Sequence, residues 1–197
     1  MCAIVAALAS LALATPAADG VPRDVGWIIG PASIELGEGR IRCDLPGGVA
    51  LASGPSAQSI LELVAGGRDG SELAVVSPIA SARSWFVVLA WQRALRAEAS
   101  PRGAGGARDG QVVWLERPRL DERTGRVTWA FAGRTREGPI VNQHVQIPAS
   151  GGAVEVTLVA PVEELAEARA QLGRIVEGLA VRPPAPLEAG RPAGGAK

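Results

Sequence analysis

The side chains best suited to acid–base chemistry in this sequence are His144 and Glu155. His144 is the single imidazole of the chain, and a histidine base needs an orienting carboxylate on one side and a nucleophile on the other. Glu155 lies on the strand-like run that follows the run containing His144, after a Gly-rich turn, so the two side chains are within reach of each other across neighbouring strands. One hypothesis is therefore a hydrolase-type enzyme that uses His144 with Glu155.

A non-catalytic role explains the same residues. Side chains alternate along an extended strand, so His144 shares one face with Asn142 and Gln146, as polar residues of a sheet face do. A Gly-x-Ser-x-Gly nucleophile elbow is missing, since the nearest candidate, residues 54–58, lacks the last glycine. The sequence therefore favours a binding role over a catalytic one. Asn142 and His144 are candidate contacts for a ligand or partner.

Trp91 is the third candidate contact. It stands beside Gln92 and Arg93 at the end of a strand-like run, which favours an exposed recognition aromatic. The other four tryptophans lie inside strand-like patterns and are expected to pack in the core: Trp27, Trp85, Trp114 and Trp129.

Composition excludes several classes of protein. The chain has 20 basic and 20 acidic residues and no net charge, which argues against a nucleic-acid binder. Two cysteines and one histidine are too few for a zinc site made of protein ligands alone, so we expect no metal and no cofactor. The glycine cluster at 103–110 lacks the Lys-Ser/Thr of a phosphate-binding loop and predicts a flexible loop.

The N-terminal residues 1–18 have the pattern of a signal peptide. They carry no charge, and the apolar run at 3–14 is shorter than the roughly 20 residues that span a bilayer. We expect an exported protein, periplasmic or secreted, with no integral membrane span in the mature chain. An uncleaved N-terminal tether and a buried N-terminal helix are the alternatives. Cys43, alone after cleavage, is expected to be a small buried hydrophobe.

Short strand-like runs bounded by Gly or Pro fill most of the chain. The predicted strands are Trp27–Ile29, Ser33–Leu36, Arg40–Cys43, Val49–Leu51, Leu73–Val76, Trp85–Ala90, Val112–Trp114, Val127–Phe131, Ile140–Ile147 and Val154–Val159. Residues 121–125 predict a hairpin turn between two of them. A short helix is expected after Ser56 or Ser59, ending at Gly66.

The segment from Pro161 to Leu179 predicts a long amphipathic helix. Its apolar stripe consists of Val162, Leu165, Leu172, Ile175, Val176 and Leu179. The expected fold is α+β, a largely antiparallel meandering sheet packed against this C-terminal helix and the short helix of the N-terminal half. We expect residues 24–182 to form one globular domain and residues 183–197 to be a disordered Pro/Gly tail.

The order of several short motifs resembles a bacterial domain-of-unknown-function family described as predicted membrane-anchored proteins. The likeness spans about residues 24–182 and rests on Gly26–Pro31, Leu36-Gly37, Leu45–Gly47, Gly70–Leu73, Trp85–Val88, Trp114, Pro118, Asp121, Trp129-Ala130 and Asn142. The family's acidic, Lys-containing segment is shortened here, and its C-terminal membrane segments are replaced by the Pro/Gly tail. The resemblance implies no catalytic residues.

Strands closed by a terminal amphipathic helix are also similar, more loosely, to the oxygen-evolving-complex subunit and related lipoprotein folds, which bind partners. The expected function is that of an exported bacterial envelope protein that binds an envelope protein or a small ligand without catalysing a reaction.

Overall fold

A computed structural model of the chain describes residues 27–37, 39–53, 72–80, 83–92, 113–135 and 138–181. The strands are β1 Trp27–Ile29, β2 Ala32–Leu36, β3 Ile41–Leu45, β4 Val49–Ser53, β5 Glu72–Pro78, β6 Phe86–Gln92, β7 Val113–Asp121, β8 Arg126–Arg134, β9 Pro139–Ala149, β10 Gly152–Pro161 and β11 Leu179–Val181. A 3-10 turn at Val162–Glu164 leads into helix α1, Leu165–Glu177. The predictions for residues 1–18, for the short helix before Gly66, for the loop at 103–110 and for the tail at 183–197 lie outside the described residues.

The described part of the chain is mostly antiparallel sheet with one C-terminal helix. Eight strands form the larger sheet in the order β1-β4-β5-β6-β10-β9-β8-β7, and three form the smaller one in the order β11-β3-β2. Every strand pair is antiparallel. The predicted turn at 121–125 joins β7 to β8, with Gly125 in the left-handed region at φ 68°. Strand β9 lies well inside the larger sheet, between β8 and β10.

The main core lies on one face of the larger sheet, where helix α1 and the smaller sheet cover it. We call this face the helix face. The main core includes Cys43, Leu51, Val76, Trp85, Leu89, Val145, Val154, Val156, Leu172 and Ile175. The opposite side, the far face, carries a separate small cluster around Ala52, Val75 and Phe86. Register places His144 on the far face, because it lies opposite Thr157 of β10, and Thr157 lies opposite Val88 of β6.

The predicted C-terminal helix is too long at both ends. Val162 precedes the α-helix and is 48% exposed, so it does not belong to the buried stripe. At the other end Leu179 is buried, but in strand β11. The chain leaves the helix at Gly178, whose carbonyl accepts the Asp44 N–H at 2.8 Å. A Cβ at residue 178 would collide with the Asp44 carbonyl, so glycine permits this approach to β3.

Candidate functional site

Three polar side chains of β9 lie side by side on the far face: Asn142, His144 and Gln146. We call them the far-face row. Their residues are only 6%, 8% and 0% exposed, respectively. Their helix-face neighbours Val141 and Val145 are buried as well, so β9 is enclosed on both sides. Alternation along the sequence predicts the shared face, but burial of the polar face depends on the tertiary structure.

His144 is held by two groups of the adjacent strand β10. Its Nδ1 lies 3.0 Å from Oε1 of Glu155 and 3.0 Å from Oγ1 of Thr157. The Thr157 hydroxyl in turn lies 3.4 Å from the same Glu155 oxygen. Because a carboxylate only accepts, Nδ1–H donates to Glu155 and the Thr157 hydroxyl donates to that carboxylate as well. In the neutral imidazole Nε2 then carries a lone pair.

Aromatic rings of β8 fix the plane of the imidazole. Trp129 lies opposite His144 in the register and stacks on it, with ring centroids 4.8 Å apart and planes inclined by 6°. Phe131 stacks on the same imidazole at 5.4 Å and meets Trp114 of β7 edge to face at 6.1 Å. The ring therefore has little freedom to turn away from Glu155.

The far-face row carries buried polar atoms that have no hydrogen-bond partner in the structure: Nδ2 of Asn142, Nε2 of His144, and both Oε1 and Nε2 of Gln146. An unpaired buried donor or acceptor costs about 1–3 kcal/mol of folding free energy. These atoms belong to alternate residues of one strand, so they point to the same side of the sheet. The far-face row therefore keeps hydrogen-bonding capacity that no described residue satisfies.

The geometry supplies part of a hydrolytic centre. The carboxylate orients the imidazole and leaves Nε2 as a base, which is the relationship found in a catalytic triad. No hydroxyl or thiol of the described residues lies within hydrogen-bond distance of Nε2. Thr157 cannot take the place of the nucleophile, because its hydroxyl lies at Nδ1, on the same side as Glu155.

The thiol of Cys43 is not available as a nucleophile for this site. Cys43 is buried in the core on the other side of the larger sheet. Burial, with a smaller contribution from the Asp44 carboxylate, raises the pKa of the thiol to about 11. At neutral pH the group is therefore a protonated, unreactive part of the core.

The structure separates Trp91 from the other candidate contacts. Trp91 lies opposite Val154 on the helix face, is half-buried, and packs at the margin of the main core. The guanidinium of Arg40 lies 5.3 Å from its ring centroid, a cation–π contact. Asn142 and His144 are thus together on one face, and Trp91 is on the other.

Sequence reasoning missed several members of the far-face site. Thr157 follows Glu155 by two residues, so period-two alternation was the available signal for its presence beside His144. The sequence predicts Trp129 only as a core residue and Phe131 only as part of a strand, and their contact with His144 depends on the β8–β9 register. Gln146 was placed on the correct face, but its lack of partners is visible only in the structure.

The described ranges contain no group of three or more His, Cys, Asp or Glu side chains arranged to hold a metal ion. They also contain no helix with both the length and the apolar character needed to cross a bilayer.

No protein-family model and no curated protein matches this chain. Among solved structures, the Ran-binding protein Mog1p of Saccharomyces cerevisiae is similar with a TM-score of 0.46 and 12% identity, over 79% of this chain and 97% of that one. Cyanobacterial PsbP (CyanoP) from Synechocystis sp. PCC 6803 is similar with a TM-score of 0.44 and 10% identity, over 86% of this chain and 98% of that one. At these values neither likeness carries an argument about function.

Proposed function

We propose that this protein is an exported bacterial envelope protein whose domain binds a small ligand at the far-face row without catalysing a reaction. The observation that carries the proposal is the set of unpartnered buried polar atoms on Asn142, His144 and Gln146. Each is a group without a hydrogen-bond partner among the described residues, so a ligand that reaches it adds a hydrogen bond. Their burial favours a small molecule over a protein surface, since a flat partner does not reach enclosed atoms.

The test uses the fact that His144 is the only histidine. Protein made with isotope-labelled histidine gives a single pair of imidazole nitrogen resonances, one of them from Nε2. We expect the small-molecule fraction of an envelope extract to shift the Nε2 resonance saturably in the wild type. The Gln146→Met variant should lose the shift, because the neighbouring polar contact is gone.

Gln143→Met is the matched control, since Gln143 lies on the same strand but on the helix face, where its Oε1 accepts from Arg169 Nε at 2.8 Å. That variant should keep the shift. An extract that never moves the resonance, or one that moves it equally in wild type and Gln146→Met, contradicts binding at the far-face row.

A hydrolase-type enzyme is the second candidate, and the 3.0 Å contact between His144 and Glu155 is the observation that favours it. Such an enzyme would use Nε2 to deprotonate a water molecule, since the described residues supply no nucleophile there. A panel of nitrophenyl esters and phosphates tests this possibility. Turnover that is abolished in both His144→Gln and Glu155→Gln would replace the binding proposal, and turnover unchanged in these variants would eliminate the enzyme.

Export is the remaining part of the proposal, supported by the uncharged apolar pattern of residues 1–18. We expect osmotic shock to release the protein, with a mature N-terminus between Thr15 and Asp19 on terminal sequencing. Full-length chain that starts at Met1 and is extracted only by detergent would contradict cleavage. That result would instead favour the anchored character of the family that the sequence resembles.

A further inference from the structure

The larger sheet ends in two edge strands, β1 and β7, each paired on one side only among the described strands. An edge strand presents backbone N–H and C=O groups to any strand that approaches it, and proteins usually block this pairing. In β7, Pro118 has no N–H to donate, and charged side chains occupy the middle of the strand. The register of β7 with β8 also shifts twice, between Trp114 and Glu116 and again before Arg119. The β7 edge is therefore protected.

Strand β1 has none of these protections. Its three residues pair with β4 in a regular antiparallel register, and none of them is charged or a proline. Ile28 is 37% exposed and Ile29 is 59% exposed, whereas Trp27 is half-buried. The β1 edge is therefore apolar, exposed and regular, which is the combination that accepts a further strand.

The hydrogen bonds to β4 determine which backbone groups of β1 point away from the sheet. The Gly30 N–H donates to the Val49 carbonyl at 3.0 Å. In an antiparallel pair the residues alternate between bonding to one neighbouring strand and facing away from it. The backbone groups of Ile28 therefore point towards β4, like those of Gly30, and the groups of Trp27 and Ile29 point outwards.

We propose that β1 pairs antiparallel with β1 of a second copy of this chain, about a two-fold axis at Ile28. Trp27 then lies opposite Ile29 of the partner subunit, and this pair exchanges both of its N–H···O=C bonds, because the groups of both residues point outwards. Ile28 lies opposite Ile28 of the partner subunit, as the pair without hydrogen bonds whose side chains are closest. An axis at Ile29 would instead place Trp27 opposite Pro31 of the partner subunit, which has no N–H to donate.

A second copy fits this edge because the edge is self-complementary. Each cross-strand pair is apolar, and the pair of Trp27 with Ile29 of the partner subunit joins an aromatic to a β-branched side chain, a favourable combination. The two-fold axis uses both β1 edges, and the β7 edges are protected, so the assembly closes at two copies. Three residues make a small interface, and we expect a weak dimer with a Kd of about 0.1–1 mM.

Sedimentation equilibrium of the whole chain between about 10 µM and 1 mM tests the dimer. The wild type should shift from monomer to dimer over this range. Ile28→Lys should weaken the dimer about tenfold or more, because two like charges then lie directly opposite each other at the axis. Val113→Lys is the matched control, since Val113 is 62% exposed on the protected edge β7, and it should dimerise as the wild type does.

A charge exchange tests the position of the axis. Ile28→Glu should be as monomeric as Ile28→Lys, and an equimolar mixture of the two variants should dimerise again, because opposite charges then face each other. Circular dichroism checks the fold of each variant, and Ile29→Lys with Ile28 intact repeats the weakening test if the changes at Ile28 prevent folding.

Three results would overturn the proposal. The first is a wild type that stays monomeric at the highest concentration. The second is a dimer that Val113→Lys weakens as much as a folded β1 variant does. The third is a mixture of folded Ile28→Lys and Ile28→Glu that remains monomeric.

Discussion

Glu155 lies directly opposite Gln146 in the register of β9 and β10, yet its Oε1 accepts a hydrogen bond from the diagonal neighbour, His144, at 3.0 Å. The amide of Gln146 is completely buried and has no hydrogen-bond partner in the structure. The contact with the diagonal neighbour orients the imidazole, and the Gln146 amide remains without a hydrogen-bond partner among the described residues. The far-face row thus combines an oriented ring with unsatisfied amides.

Gln146→Met should raise the free energy of unfolding by about 1–3 kcal/mol. The substitution keeps the length of the side chain and removes an amide whose burial without hydrogen bonds costs that amount. Urea unfolding of the free protein measures the effect as a higher midpoint at an unchanged slope. Gain of stability with loss of ligand is the combination expected where a polar group is kept for binding.

Gln143→Met, the control on the same strand, should instead lower stability by about 1 kcal/mol. Its amide oxygen accepts from the Arg169 guanidinium of α1, and the substitution removes this tie between helix and sheet. A loss of stability in Gln146→Met comparable to that in Gln143→Met would mean that the Gln146 amide is already hydrogen-bonded in the free protein, and the argument for the far-face row would fail.

The imidazole of His144 should be protonated at Nδ1 in its neutral form. The reason is that the carboxylate of Glu155 accepts and cannot donate, so the hydrogen between the two groups belongs to the ring. Long-range proton–nitrogen NMR of the single histidine distinguishes the two tautomers directly. In Glu155→Gln, whose amide is able to donate, the proton should move in part to Nε2; a spectrum identical to wild type would contradict the assignment.

Leu172→Ala should lower the free energy of unfolding by about 2–5 kcal/mol, the usual range for truncating a buried leucine. Leu172 belongs to the main core at 3% exposure. Leu120→Ala is the matched control, because Leu120 is 57% exposed on the edge strand β7 and should change stability by less than about 0.5 kcal/mol. Equal urea midpoints for the two variants would show that α1 is not packed as described.

Stability should fall as the pH rises from 9 to 11, because of Cys43. The pKa of this thiol is raised from its ordinary 9.0 to about 11 in the folded protein, mainly by burial. A group whose pKa is higher in the folded state stabilises the protein fully below the unfolded value, and this contribution is lost as the pH rises toward the folded value. A difference of about two pKa units between the folded and unfolded states corresponds to about 2–3 kcal/mol of folding free energy.

Few other side chains titrate between pH 9 and 11, because the sequence contains no tyrosine and Lys197 is its only lysine. The comparison is between Cys43→Ala and the parent, both with Cys2 replaced by serine. The slope of stability against pH should be shallower in Cys43→Ala between pH 9 and 11. Parallel slopes would show that the thiol does not ionise more easily on unfolding.

Much of the architecture follows from the sequence alone, because local chemistry determines it. Alternation and Gly/Pro punctuation locate strands β1 to β10, although β7 continues to Asp121, well past the predicted end at Trp114. The Asp121–Gly125 turn is specified by residues next to one another in the chain. Period-two alternation also places His144, Asn142 and Gln146 on one face. These features depend on the backbone geometry of a few consecutive residues.

Only the tertiary structure decides which strands become neighbours and which faces are buried. Strand β11 is invisible in the sequence because helical periodicity continues through Leu179, and the contact of Gly178 with Asp44 that ends the helix joins residues far apart in the chain. The diagonal contact of Glu155 with His144, the stacking of Trp129 and the burial of an unpartnered Gln146 depend on the register of three strands at once. Register and burial are set by the free energy of packing the whole core, and a local sequence pattern does not determine that free energy.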